Sequence, residues 1–208
     1  MSVICKLHGL PYLFAVRMAK ITFKAKKIGT NHIGRCLVKK TAMYTIISGT
    51  NRTGSNTIKI ATQYRQLMEQ KGVQARLVTL ENLDVSTRNQ SIKTLEEEVL
   101  IPSEKFIFIS PEYNGSIPGV LKSLFDSSDI QRCWWGKKAL LTGVSTGRAG
   151  NLRGMEHLTG ILNYMKVIVH PNKLPISVVN VLLNLDGSIK DQQTLKAIDH
   201  QLNEFIDF

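Results

Sequence analysis

Residues 43–208 alternate between two kinds of apolar pattern. Residues 44–47, 105–110 (KFIFIS) and 137–144 are short runs with little polar interruption, as expected for strands buried on both faces of a parallel sheet. Residues 73–80 alternate apolar and polar and predict another strand, and 167–169 and 176–182 are rich in β-branched residues. Helical spacing fills the intervals. Ile60, Tyr64, Leu67 and Met68 fall on one face of a helix over 57–70 that ends at Lys71-Gly72. A short helix over 91–100 stops at Pro102, and another covers about 119–126. Leu158, Ile161, Leu162 and Met165 align on a helix over 152–165, and Leu195, Ile198, Leu202 and Ile206 on one over 188–206. Strands alternating with helices predict a doubly wound, five-stranded parallel sheet with helices on both faces.

In such a sheet, ligands sit beyond the C-terminal ends of the strands. Three polar, glycine-containing loops follow predicted strands and are expected to converge there. The first, SGTNRTGSN, runs from Ser48 to Asn56 and leads into a helix at Thr57. A strand-to-helix turn gathers free backbone N–H groups at the positive end of the helix dipole, which favours phosphate. The hydroxyls of Ser48, Thr50, Ser55 and Thr57 and the amides of Asn51 and Asn56 add neutral hydrogen-bonding groups, and Arg52 adds a charge able to bond a phosphate twice. Gly49 and Gly54 have Walker A spacing, but Ser55-Asn56 replaces the Lys-Ser/Thr pair, and no G-x-G-x-x-G is present. A terminal monophosphate suits this loop better than a metal-bound triphosphate. The plain alternative is a polar turn with Ser55 as helix N-cap.

The second loop, PEYNGSIP, has a proline at each end and offers Pro111, Glu112, Tyr113, Asn114 and Gly115 as an aromatic face with approachable backbone. The third, STGRAGN, supplies Ser145, Gly147 and Arg148. A flat ring with polar edges and a phosphate tail fits the three together, and flavin mononucleotide (FMN) is such a ligand.

Charge changes the picture less than its total suggests. The formal charge is +11, but residues 1–42 hold nine Lys/Arg and no Asp or Glu. Removing those nine from the 27 basic residues leaves 18 against 16 acidic ones over 43–208. A nucleic-acid-binding domain usually carries its charge on the fold itself, so no nucleic-acid partner is expected. Residues 1–42 read as a basic leader outside the fold. The favoured expectation is that translation begins at Met43, ahead of a flexible tail or a targeting segment. The domain is then 43–208. No apolar run nears the ~20 residues of a membrane span. Cys5, Cys36 and Cys133 form no C-x-x-C pair, which points to a reducing compartment, the cytoplasm, and to no metal site of cysteine type. His157 and His170 show no metal-like spacing. Cys133-Trp134-Trp135 is read as packing or a subunit contact before flavin stacking, and residues 126–129 (DSSD) as a helix-end loop before a metal site.

SGTNRTGSNT, PEYNGSIPGVLKSLFD and STGRAGNLRG together resemble the NADPH-dependent FMN reductase family, over about residues 43–185. The resemblance implies a flavodoxin-like fold and non-covalent FMN. Its phosphate would lie among Ser48, Thr50, Arg52, Ser55, Asn56 and Thr57, and its ring along Pro111 to Gly115, closed by Ser145, Gly147 and Arg148. It implies hydride transfer from NADPH or NADH to flavin N5, with the Asn114 and Gly115 backbone supporting the ring, and then reduction of a small acceptor such as a quinone, azo compound or free flavin. It also implies a homodimer or homotetramer. A flavodoxin-type carrier without NAD(P)H activity is the competing expectation, although flavodoxins lean acidic and this core does not.

Overall fold

The computed structural model describes residues 42–208; the leader expected over 1–42 lies, apart from Ala42, outside the described residues. The elements in order are β1 (Tyr44–Ser48), α1 (Asn56–Gln70), β2 (Ala75–Thr79), α2 (Gln90–Leu95) running into a π-helical turn (Glu96–Leu100), β3 (Lys105–Pro111), α3 (Gly119–Ser127), α4 (Ile130–Cys133), β4 (Lys138–Val144), α5 (Leu152–Tyr164), β5 (Ile168–Val169), β6 (Leu174–Ile176), a 3-10 turn (Val179–Val181) and α6 (Gln192–Asp207). The strands are all parallel, in the order β2-β1-β3-β4-β5, with β6 also paired to β4. This is the flavodoxin-like order, whose switch point lies between β1 and β3.

Strand polarity explains why the central runs are apolar throughout. On β3, Phe106 and Phe108 enter one core while Ile107 and Ile109 enter the other; Ile47 and Ile46 of β1 divide in the same way. The first core is filled from α3, α5 and Trp134, the second from α1 and α6. Trp134 is fully buried, 5.0 Å from the Phe106 ring and 5.2 Å from Phe125, with its indole N–H donated to Ser128 Oγ at 2.9 Å. It is a packing residue, while Trp135 reaches the surface under the Lys166 ammonium. Asp129 caps α4 and Asp126 pairs with Lys122, so the DSSD stretch serves two helix ends. Cys133 is buried beneath them; burial, then the Glu96 and Asp129 carboxylates, push its thiol up to about 12. At neutral pH it stays protonated and is a poor nucleophile.

The structure corrects the sequence reading at four places. The last helix starts at Gln192 and not at 188, because Asp191 caps it by accepting from Thr194 N–H at 2.7 Å. Residues 91–100 form no uniform α-helix: the second half is a π-helical turn in which Glu96, almost wholly buried, accepts a two-pronged bond from Arg88 and another from the Asp129 N–H. The fifth position of the sheet is shared by two short strands, because the stretch around Pro171 interrupts the run beside β4. Residues 176–182 are not a strand beyond Ile176. The chain leaves β6 there, turns left-handed at Val178 and forms the 3-10 turn.

Candidate functional site

The first loop starts where β1 ends. Gly49 N–H donates to Ile109 O of β3 at 2.8 Å, turning the chain across the switch point. Ser55 does cap α1, accepting from Ile58 N–H at 3.3 Å, and so holds the helix start in place beneath the loop. The N–H groups of Asn56 and Thr57, first in the helix, have no intrahelical acceptor. The first turn of α1 carries no acidic residue of its own to offset the positive end of the dipole. Ser48 Oγ is buried without a hydrogen-bond partner among the described residues. The Arg52 guanidinium lies over the Tyr113 ring, 4.2 Å from its centroid, and Tyr113 OH bonds Thr50 Oγ1 at 2.7 Å.

The second loop leaves β3 with Glu112 N–H donated to Val144 O at 3.1 Å. Tyr113 and Ser116 then exchange two backbone bonds, at 2.9 and 3.1 Å, around Asn114 (φ 52°) and Gly115 (φ 77°). Two successive left-handed residues make a type I′ turn, which is what an Asn-Gly pair favours.

The third loop is packed from both sides. A Cβ on Gly143 of β4 would lie 2.1 Å from the carbonyl oxygen of Gly150, and one on Gly150 would lie 2.6 Å from Pro175 of β6. Next to Gly150, Asn151 is fully buried and donates its amide to Ser110 O at 2.9 Å, tying loop three to β3. Ser145 Oγ accepts from Gly150 N–H at 3.0 Å and donates to Gly147 O at 2.9 Å.

Between the loops lies a cleft of about 260 Å³. Among the residues singled out from sequence, Thr50, Arg52, Ser55, Asn56, Thr57, Pro111, Glu112, Tyr113 and Ser145 line it. Ser48 lies buried at the end of β1, and Asn51, Asn114, Gly115, Gly147 and Arg148 lie outside the lining, with Asn51, Asn114, Gly147 and Arg148 exposed. Thr53, Val144, Thr146 and Val179 line the cleft without having been singled out. Thr53 and Thr146 had a signal, being polar members of the same loops; Val179 had none, because its place depends on the turn after β6. Larger hollows lie elsewhere, about 560 Å³ beside the start of β1 and β2 and about 1080 Å³ between α3 and α5. Neither gathers the three strand-end loops, and in this topology the strand ends decide.

Residues 44–180 match the family described as NADPH-dependent FMN reductase. The chain belongs to this family. Among curated relatives, an NAD(P)H-dependent FMN reductase of Pseudomonas aeruginosa is 33% identical over 110 residues, covering 50% of this chain and 58% of the relative. A 2-hydroxy-1,4-benzoquinone reductase of a Burkholderia species is 25% identical over 113 residues, covering 52% and 62%. The chain thus spans about six tenths of the length of these relatives. A flavoenzyme NAD(P)H:acceptor oxidoreductase from Paracoccus denitrificans shares the fold at a TM-score of 0.66, with 24% identity over 80% of this chain and 96% of that one.

The donor set of this FMN reductase family member fits a flavin phosphate. It combines the hydroxyls of Thr50, Thr53, Ser55 and Thr57, an uncompensated helix start and one guanidinium, with the unpaired Ser48 Oγ buried at the strand end rather than on the lining. The turn after β6 passes over the loop-one end of the cleft. Val178 N–H donates to Gly147 O, Val179 N–H to Ser145 O, and Asn56 donates its side-chain amide to Asn180 at 2.7 Å. Val178 sits at φ 44°, a conformation costly for a β-branched residue. Strain of this kind is worth about 1–3 kcal/mol, partly offset by the greater freedom of glycine in the unfolded chain, about 0.5–1 kcal/mol. Val178→Gly is therefore expected to raise the melting temperature by about 2–4 °C. A thermal melt that falls instead would show that the valine side chain stabilises more than its backbone costs.

Proposed function

We propose that this chain binds FMN in the cleft at the ends of β1, β3 and β4 and works as an NAD(P)H-dependent oxidoreductase on a small acceptor. The observation that carries this reading is the convergence of the three loops, with Arg52 held against Tyr113 between loops one and two. Arg52 and the hydroxyls of Ser48, Thr50, Ser55 and Thr57 would bind the phosphate, with Asn56 released from Asn180 to join them. Pro111 to Gly115 would carry the ring on one side, and Ser145, Gly147 and Arg148 would close the other. A cleft of about 260 Å³ is slightly below the usual range for a whole ligand. It suits the phosphate and its tail, leaving the ring at the open rim where a second molecule can reach it.

When bound, FMN supplies the redox chemistry, taking a hydride from NADPH or NADH and passing it on. The protein's part is to hold the ring in place and to offer backbone N–H groups near Asn114 and Gly115 where charge develops. The names of relatives that reduce quinones and flavins support a quinone or free flavin as acceptor; an azo compound is the third candidate of the same reading. A cytoplasmic homodimer or homotetramer is part of the same reading; no described helix is long and apolar enough to cross a membrane. Light scattering would give the assembly's mass.

The test is an absorbance spectrum of the purified full chain, followed by anaerobic NADPH. Bands near ~370 and ~450 nm that bleach on addition are expected of a flavin-carried hydride transfer. A flavin spectrum that neither NADPH nor NADH changes would favour an electron carrier. A protein that takes up no FMN would sink the assignment.

A further inference from the structure

The type I′ turn of the second loop is pinned at both ends by side chains. At one end Tyr113 OH bonds Thr50 Oγ1 at 2.7 Å, which ties the turn to the phosphate loop. At the other, Ser116 Oγ bonds His157 Nδ1 at 2.8 Å, which ties it to α5. His157 stands one helical turn beyond Arg153, whose Nη1 lies 3.9 Å from the place a Gly115 side chain would take, so this face of α5 lies against the turn. Asn114 and Gly115 both hold positive φ, and Tyr113 and Asn114 are open to solvent in part or in full. The two cross-turn backbone bonds fix the shape of the turn but not its height above the sheet. That height depends on what the turn is fastened to.

We propose that His157 is a positioning residue: its Nδ1 holds Ser116 and thereby sets where the Asn114 and Gly115 backbone meets the cofactor ring. The inference rests on the FMN reading. It explains a polar pair that packing does not require, since Ser116 and His157 are both solvent-accessible and could each be hydrated instead. It also joins loop two to the helix that follows loop three, so that the ring-side backbone is referenced to α5 as well as to β3.

The experiment compares the full-length protein with His157→Asn, His157→Gln, Ser116→Ala and the Ser116→Ala/His157→Gln double variant. FMN affinity is measured by quenching of flavin fluorescence, the potential of the bound flavin by titration with redox dyes, and stability by thermal melt. An asparagine amide reaches the position of Nδ1, whereas a glutamine amide reaches toward Nε2. The His157→Asn variant is expected to bind FMN like the parent. His157→Gln and Ser116→Ala are each expected to weaken binding about three- to tenfold, the range of one neutral hydrogen bond, and to shift the flavin potential in the same direction. The double variant should be no worse than either single, as coupled residues require. Melting temperatures should stay within about 2 °C, as for surface substitutions. If His157→Gln leaves affinity and potential unchanged, or if the two single effects add in full, the positioning role is overturned. A parent protein that binds no FMN overturns the cofactor reading itself, before any variant is compared.

Discussion

Gly143→Ala is expected to cost about 3 kcal/mol of stability, at the upper end of overpacking effects, and to lower the melting temperature by about 6–12 °C. The strand position is fully buried between β3 and α5, and the new methyl would meet the Gly150 carbonyl oxygen at 2.1 Å, with Asn151 Cβ and Met155 Cε at 3.0 and 3.1 Å. The oxygen cannot retreat, because Gly150 is itself backed by Pro175, where a Cβ would lie 2.6 Å away. Nor can β4 withdraw without breaking its ladders to β3 and β6. The strain therefore falls on loop three and on the Asn151–Ser110 bond that ties it to β3. FMN affinity should fall together with stability. Gly147→Ala is the control: its added Cβ meets no atom within 4 Å, so its melt should stay within about 2 °C of the parent. Thermal melts of the two variants decide the matter. Equal stability would show that loop three shifts freely, contrary to the packing described.

Arg52→Ala is expected to weaken FMN binding about tenfold to a hundredfold, which corresponds to losing one charge-assisted hydrogen-bonding group. Among the described residues Arg52 is the one guanidinium lining the cleft, and every other lining group on loop one is neutral. Truncation also removes the contact with the Tyr113 ring, worth about 0.5–1 kcal/mol at an exposed position. Tyr113 would keep its bond to Thr50. Arg52→Lys should recover only part of the loss, because an ammonium lacks the planar fork that bonds two phosphate oxygens and stacks on an aromatic face. Raising ionic strength should narrow the gap between parent and Arg52→Ala, since an exposed charge is screened. Titration of flavin fluorescence measures all three. Unchanged affinity in Arg52→Ala would place the phosphate elsewhere.

The parallel sheet was legible because each central strand is apolar on both faces, and KFIFIS has no other comfortable setting; apolar runs alone do not order the strands. The loops were legible for a related reason, since polar, glycine-bearing stretches directly after such strands have one place to go. The sequence reading failed where tertiary contacts override local preference. ISVVNV favours a strand by composition, yet Val178 is held left-handed by its bond to Gly147 O and by the need to bring Val179 down to Ser145. Nothing in the run of three glutamates at 96–98 marks Glu96 out, and only the fold brings Arg88 and the Asp129 N–H to it. His157 looked like an isolated histidine, because its partner lies 41 residues away in sequence. Val179, Asn151 and Pro175 shape the site through contacts that no local pattern announces.

The divided fifth strand bears on how copies of this protein avoid sticking together. An open sheet edge offers unpaired N–H and C=O groups to any passing strand, and native proteins blunt such edges with short strands and prolines. Here the outer edge beside β4 consists of a two-residue and a three-residue strand. Pro171 lies between them and Pro175 within the second, so two positions on that edge have no N–H to donate. No uninterrupted run is left for another chain to add to. Association at this edge through sheet extension, the route toward fibrils, is closed by the same interruption that lets Pro175 rise against Gly150 and pack the third loop.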